Sequence, residues 1–120
     1  MLLANIIELH TVFDLLVKEK TKAGLAHKIL QIYNILQPHF EQYEKTRVNK
    51  VIEMCGEKNK NEQGSYTVPQ EKKGEFINFI NEYISTDISI ELPTISLQEI
   101  ENLEIQPNHL NFLLKTNVVK

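Results

Sequence analysis

Apolar residues recur every three or four positions through the first half of the chain, which is the spacing of one face of an α-helix. The first segment follows Asn5, a residue suited to cap a helix N-terminus. The second begins near Ala23 and continues to Cys55. Together the segments predict a long helical hairpin. Their apolar positions are Ile6, Leu9, Phe13 and Leu16, then Leu25, Ile29, Ile32, Leu36, Phe40, Tyr43, Val48, Val51 and Ile52.

Pro38 interrupts the second helical segment. Its ring conflicts with the carbonyl of Asn34, and it has no N–H to donate. The segment is therefore either one kinked helix or two helices, with Pro38 in the first turn of the second. We favour the kink, because the apolar spacing keeps its phase through Pro38. Gly56 is the expected C-cap, and residues 57–64 are expected to form an exposed turn.

The second half of the chain mixes helical and alternating patterns. Composition and alternation predict short strands at residues 65–68, 87–92 and 103–105. A third helix is expected after Pro69, Ser96 and Glu99 form a capping-box pattern, and Pro107 is expected to begin a last helix. The predicted fold is α+β and mostly α. It has a long helical hairpin with a kinked second helix, a third helix, a two- or three-stranded β patch and a short C-terminal helix, in one domain over residues 1–120.

Composition excludes several classes of protein. The 120 residues are 42% hydrophobic, as in a globular chain, and carry a formal net charge of −3, which argues against direct binding to nucleic acid. Cys55 is the one cysteine, so no internal disulfide is expected. No signal peptide or membrane-spanning apolar run is seen, so we expect neither a membrane partner nor export, and place the chain in the cytoplasm.

The chain offers little for chemistry. His10 and Asp14 share a helix face and are two potential metal ligands, but a solvated or locally hydrogen-bonded pair is the favoured interpretation. Cys55 has no local activating group and is expected to be buried. Tyr33, Phe40 and Tyr43 fit a helix core better than a base-stacking surface. We therefore expect no catalytic residue, metal or cofactor, and the chain is predicted not to be an enzyme.

One region has a strongly biased charge. Between Lys73 and Lys115 there are seven acidic residues and no Lys or Arg. This region predicts either a surface that binds a basic protein partner or a solvated face that keeps the protein soluble, and both interpretations stay open. The candidate protein-binding residues are Glu82, Asp87, Glu91, Glu99, Glu101 and Glu104.

Several short stretches resemble a family of small bacteriophage and prophage proteins labelled domain of unknown function 1617. The chain differs from that pattern at Lys22-Ala23, where relatives carry a Leu-Pro pair, and at Pro38. The matching stretches are Ala26-His27-Lys28-Ile29, Tyr43-Glu44 with Arg47, Gly56-Glu57-Lys58 through Asn61-Glu62 and Gly64, Phe76, Asp87-Ile88 with Ile90, and Leu103-Glu104-Ile105 with Pro107 and Leu110.

The resemblance implies a phage gene in a Gram-positive host, with the protein acting in the host cytoplasm. Small phage proteins without a chemical motif more often bind than catalyse. We therefore expect a non-enzymatic factor that binds a host or phage complex through its acidic C-terminal half. One concrete form is a viral inhibitor of a host defence complex, such as an anti-CRISPR protein. The alternative is a virion or tail-assembly component whose apolar surface is a subunit interface.

Overall fold

A computed structural model describes residues 1–56 and 65–120. The expected exposed turn at residues 57–64 lies outside the described residues. Within the described part, the secondary structure consists of α-helices and short 3₁₀ turns. In chain order the helices are α1 (Leu3–Leu16), α2 (Ala23–Cys55), α3 (Lys73–Ile84) and α4 (Pro107–Lys115), with 3₁₀ turns at Gln70–Lys72 and Leu97–Ile100.

Helices α1 and α2 form the predicted hairpin. His10 contacts Gln37, and Asp14, one turn later in α1, contacts Tyr33, one turn earlier in α2, so the helices are antiparallel. The predicted apolar stripes face each other in this interface. Among them, Ile6, Leu9, Phe13, Leu16, Leu25, Ile29, Ile32 and Leu36 are all buried.

Helix α2 continues through Pro38 without a break, as the one-helix alternative predicted. Pro38 and Asn34 are both exposed, and because Pro38 has no N–H, the Asn34 carbonyl lacks its usual helical partner. The helix ends where predicted, at Gly56. This glycine has φ 79° and donates its N–H to the Ile52 carbonyl at 2.8 Å.

Helix α3 packs on the second half of α2 through one edge. The ring of Tyr83 stacks with Tyr43 at 6.1 Å and with Phe79 at 6.2 Å, and the ammonium of Lys50 lies 4.7 Å above the Phe79 ring. No α3 side chain is buried, and Ile77 is 55% exposed. Helix α2 therefore covers only part of the apolar face of α3.

The predicted β patch is wrong, and the fold is all-α within the described residues. Residues 65–68, 87–92 and 103–105 do not form strands; the pairing found in the described ranges is limited to isolated bridges, Leu2 with Asp87 and Ile95 with Val119. The alternating pattern has another cause. Ile88, Ile90 and Leu92 pack against the helical core while the residues between them are mostly exposed. An extended segment lying on helices shows the same alternation as a strand.

The C-terminal elements close the core over the hairpin. Ser96 and Glu99 form the predicted capping box, and Pro107 begins α4 as predicted. Buried Ile95, Ile100, Leu113, Val118 and Val119 belong to the same hydrophobic cluster as α1 and α2. The described molecule is elongated, with extents of 53 × 29 × 24 Å. Across residues 1–56 and 65–120, no helix is both long and apolar enough to cross a membrane.

Candidate protein-binding surface

The six candidate carboxylates are all exposed, but they lie on different elements. Glu82 is on α3, and Asp87 and Glu91 are in the extended segment that follows. Glu99 belongs to the second 3₁₀ turn, and Glu101 comes directly after it. The sixth, Glu104, lies before α4. The acidic surface is therefore built from several separate segments.

Two of these carboxylates already have cationic partners. Asp87 accepts a hydrogen bond from the amino group of Met1 at 2.8 Å. Glu99 accepts one from Nζ of Lys28, also at 2.8 Å, and its side chain bonds the backbone N–H of Ser96. The Lys28 ammonium and then the Ser96 N–H lower the pKa of Glu99. The charges of Asp87 and Glu99 are therefore already paired within the chain.

The other four carboxylates form no ion pair with any described residue. They are Glu82, Glu91, Glu101 and Glu104. An exposed carboxylate without a cationic neighbour can pair with Lys or Arg of another molecule without first breaking an internal ion pair. These four residues, which we call the free carboxylates, are the part of the acidic region that is best suited to bind a basic surface.

An apolar cavity adjoins one of the free carboxylates. It has a volume of about 530 Å³ and lies between the second 3₁₀ turn and the start of α4. Glu101 is the one charged side chain among the described residues that line it. The others are Leu97, Gln98, Ile100, Leu103, Ile105 and Leu110. The cavity thus combines an apolar wall with a single negative charge.

A second cavity, of about 740 Å³, has the opposite charge character. Lys20, Lys22 and Lys28 line it at the start of α2, and Gln98 and Leu103 belong to both cavities. Its carboxylate is Glu99, which pairs with Lys28. The two neighbouring cavities therefore offer opposite charges to a ligand.

His10 and Asp14, the two potential metal ligands, each contact other side chains. Buried His10 stacks on Phe40 with ring centroids 3.9 Å apart, and its Nε2 bonds the side-chain oxygen of Gln37. Asp14 accepts a hydrogen bond from the Tyr33 hydroxyl at 3.3 Å; burial, followed by the Asp14 charge, raises the pKa of Tyr33. Within the described ranges, no group of three or more His, Cys, Asp or Glu side chains is placed to hold a metal.

The remaining sequence candidates are buried or partly buried. Cys55 is 4% exposed, as expected for a cysteine in an apolar stripe. Tyr33 and Phe40 contribute to the His10 stack, and Tyr43 stacks on Tyr83 of α3. These rings are partly buried between helices, as the core interpretation predicted.

The sequence did not predict the cavities, nor that part of the apolar face of α3 would stay exposed. The apolar residues around the Glu101 cavity were visible in sequence, but two of them appeared as a strand at residues 103–105. The exposed fraction of Ile77 depends on how closely α3 approaches α2, which helical spacing does not define. In the comparisons with known proteins, no family model matches the chain, and neither a curated protein nor a solved structure matches it.

Proposed function

We propose that this chain is a phage-derived, non-enzymatic protein-binding factor that binds a basic surface of a host or phage complex in the host cytoplasm. The observation that carries the proposal is the set of free carboxylates, which are exposed and without ion pairs in the described structure. The phage origin comes from the family resemblance. Inhibition of a host defence complex, with the carboxylates occupying a basic nucleic-acid channel, is the concrete form that we favour.

Charge reversal at two of the free carboxylates tests whether they bind the partner. Glu99 is unsuitable, because reversing it would break the capping box and the ion pair with Lys28. Glu82 and Glu91 are exposed and have no such internal partners, so E82K/E91K changes surface charge alone. The matched control is E8K/E19K, which changes net charge equally at exposed positions of the first helical segment and its following turn.

Capture of partners from a Gram-positive host lysate tests the proposal. Wild-type protein and E8K/E19K should retain the same partner, while E82K/E91K should lose it, and added salt should weaken capture. Capture of no protein by the wild type, or equal capture by both variants, would reject the proposal.

The second candidate function is a virion or tail-assembly component. Helix α3 favours it, because Ile77 is 55% exposed on a helix with no buried side chain. Such a face would form a subunit interface. This candidate predicts a symmetric oligomer in sedimentation that Ile77→Asp dissociates. A monomer at all concentrations, absent from purified virions, would reject it.

A further inference from the structure

We infer that the apolar cavity beside Glu101 receives a hydrophobic side chain of a partner protein, from a segment in which a Lys or Arg adjoins that side chain. The inference rests on the proposed function and names the partner chemistry. A carboxylate beside an apolar depression matches a ligand that is apolar at one point and positively charged at the next. The occupant is therefore a basic, hydrophobic peptide segment.

The lining of the cavity supports an apolar guest. Leu97 is 50% exposed, while Leu103, Ile105 and Leu110 are half-buried and pack on the core from below. The volume of about 530 Å³ lies within the range of ligand cavities in proteins. A leucine- or phenylalanine-sized side chain entering it would remove Leu97 from water.

The negative charge of Glu101 favours apolar side chains that have a basic residue beside them. Glu101 is exposed, lines the cavity, and has no ion pair with a described residue. Glu104, three residues further along the chain, is also a free carboxylate. A guest flanked by Lys or Arg would gain charge-assisted hydrogen bonds here, whereas an acidic guest would be repelled.

The cavity has a fixed frame. The Leu97 N–H donates to the Lys120 carbonyl at 2.9 Å, and the capping box of Ser96 and Glu99 holds the 3₁₀ turn. Lys28 ties that turn to α2 through its 2.8 Å ion pair with Glu99. A site held before binding loses less conformational entropy when the ligand arrives.

The neighbouring lysine-lined cavity has the opposite charge and serves as an internal comparison. It shares Gln98 and Leu103 with the Glu101 cavity, but Lys20 and Lys22 line its other side. A basic segment should therefore occupy the Glu101 side and avoid the lysine side. Chemical-shift changes can separate these two positions.

Peptide titration of the full chain tests the inference. The probes are a synthetic lysine–leucine–lysine peptide, a glutamate–leucine–glutamate peptide and a lysine–serine–lysine peptide, each capped at both ends. Methyl NMR should show saturable shifts at Leu97, Ile105 and Leu110 with the first peptide, with a dissociation constant of about 0.1–1 mM. The other two peptides should bind at least about threefold more weakly.

Matched variants separate the cavity from general surface effects. Leu97→Ser and Glu101→Gln should each weaken binding of the lysine–leucine–lysine peptide about two- to fivefold. Leu30 is 51% exposed on α2, and Glu8 is an exposed acid on α1, so Leu30→Ser and Glu8→Gln are the controls and should leave binding unchanged.

The inference is overturned if the first peptide gives no saturable shifts, if the glutamate peptide binds equally well, or if the shifts map to the lysine-lined cavity. Its failure is distinguishable from failure of the proposed function. Partner capture is tested with E82K/E91K, and neither residue lines the cavity. Charge-dependent capture without peptide binding would reject the cavity while leaving the proposed function standing.

Discussion

His10 connects the two longest helices through three contacts. Its ring stacks on Phe40 and lies 5.2 Å from the ring of Tyr33, while its Nε2 bonds Gln37. An amide oxygen only accepts hydrogen bonds, so Nε2 carries the proton. Gln37 in turn donates to Glu41 at 3.0 Å, which extends the polar chain to the surface. His10 therefore satisfies its polar atom while it fills the interface.

Truncation of His10 should destabilise the fold strongly. His10→Ala removes the stacking contacts and the Gln37 bond and leaves a cavity, so the free energy of unfolding should fall by about 2–4 kcal/mol. Urea denaturation measures the change. Glu8→Ala, at an exposed position of the same helix, is the control and should change it by less than about 0.5 kcal/mol. Equal effects of the two substitutions would refute the stated role of His10.

Glu99 predicts a pH dependence of stability. Its folded-state pKa is lowered, first by the Lys28 ammonium, so ionised Glu99 stabilises the fold above the ordinary glutamate pKa of about 4.3. That contribution is lost as the pH falls through the lowered folded-state pKa. Glu99→Gln should therefore lower stability relative to wild type at neutral pH, and the difference should shrink in acid.

Denaturation of wild type and Glu99→Gln at several pH values measures this difference. Glu91→Gln is the control, since Glu91 is exposed and forms no ion pair with a described residue. A wild-type advantage that is constant with pH, or that grows in acid, would contradict the assigned ion pair.

At the scale of elements, periodicity predicted helices well and strands poorly. The stripes of α1 and α2 became the core because a helix buries positions three and four apart. The alternation at residues 87–92 also predicted burial correctly, since Ile88, Ile90 and Leu92 face the core. The alternation does not show whether the segment pairs with a neighbouring strand. In this fold the segment packs on helices instead.

Pro38 gives a direct test of how α2 is held together. Pro38 is exposed within a continuous helix, so Pro38→Ala restores a backbone hydrogen bond to Asn34 without removing buried contacts. We expect the free energy of unfolding to rise by about 1–3 kcal/mol. Thermal or urea denaturation measures the change, with exposed Gln42→Ala as the in-helix control. A loss of stability would mean that the α1–α2 interface requires the proline geometry.

For the whole molecule, the sequence predicts the net charge but not which charged residues form ion pairs. The sequence showed an excess of acids from Lys73 to Lys115, but not which of them would be neutralised. Lys28 and Glu99 are 71 positions apart and meet only because the 3₁₀ turn packs near the start of α2. No periodic pattern encodes such a contact, so the free carboxylates became identifiable only in the folded chain.

The free carboxylates and the Glu101 cavity are features of one acidic half of the chain. The four free carboxylates are spread over α3 and the segments up to α4, so a partner that pairs with several of them must span more than one element. A partner of that kind would be a folded basic surface with a protruding hydrophobic residue.

The most direct measurement is zero-length carbodiimide cross-linking of the captured complex, because this reagent joins a carboxylate only to an amine in contact with it. Mass spectrometry of the linked peptides then identifies the carboxylates that touch partner lysines. We expect links from Glu82, Glu91, Glu101 or Glu104. Links confined to Glu8, Glu19 and the other acids of residues 1–56 would contradict it.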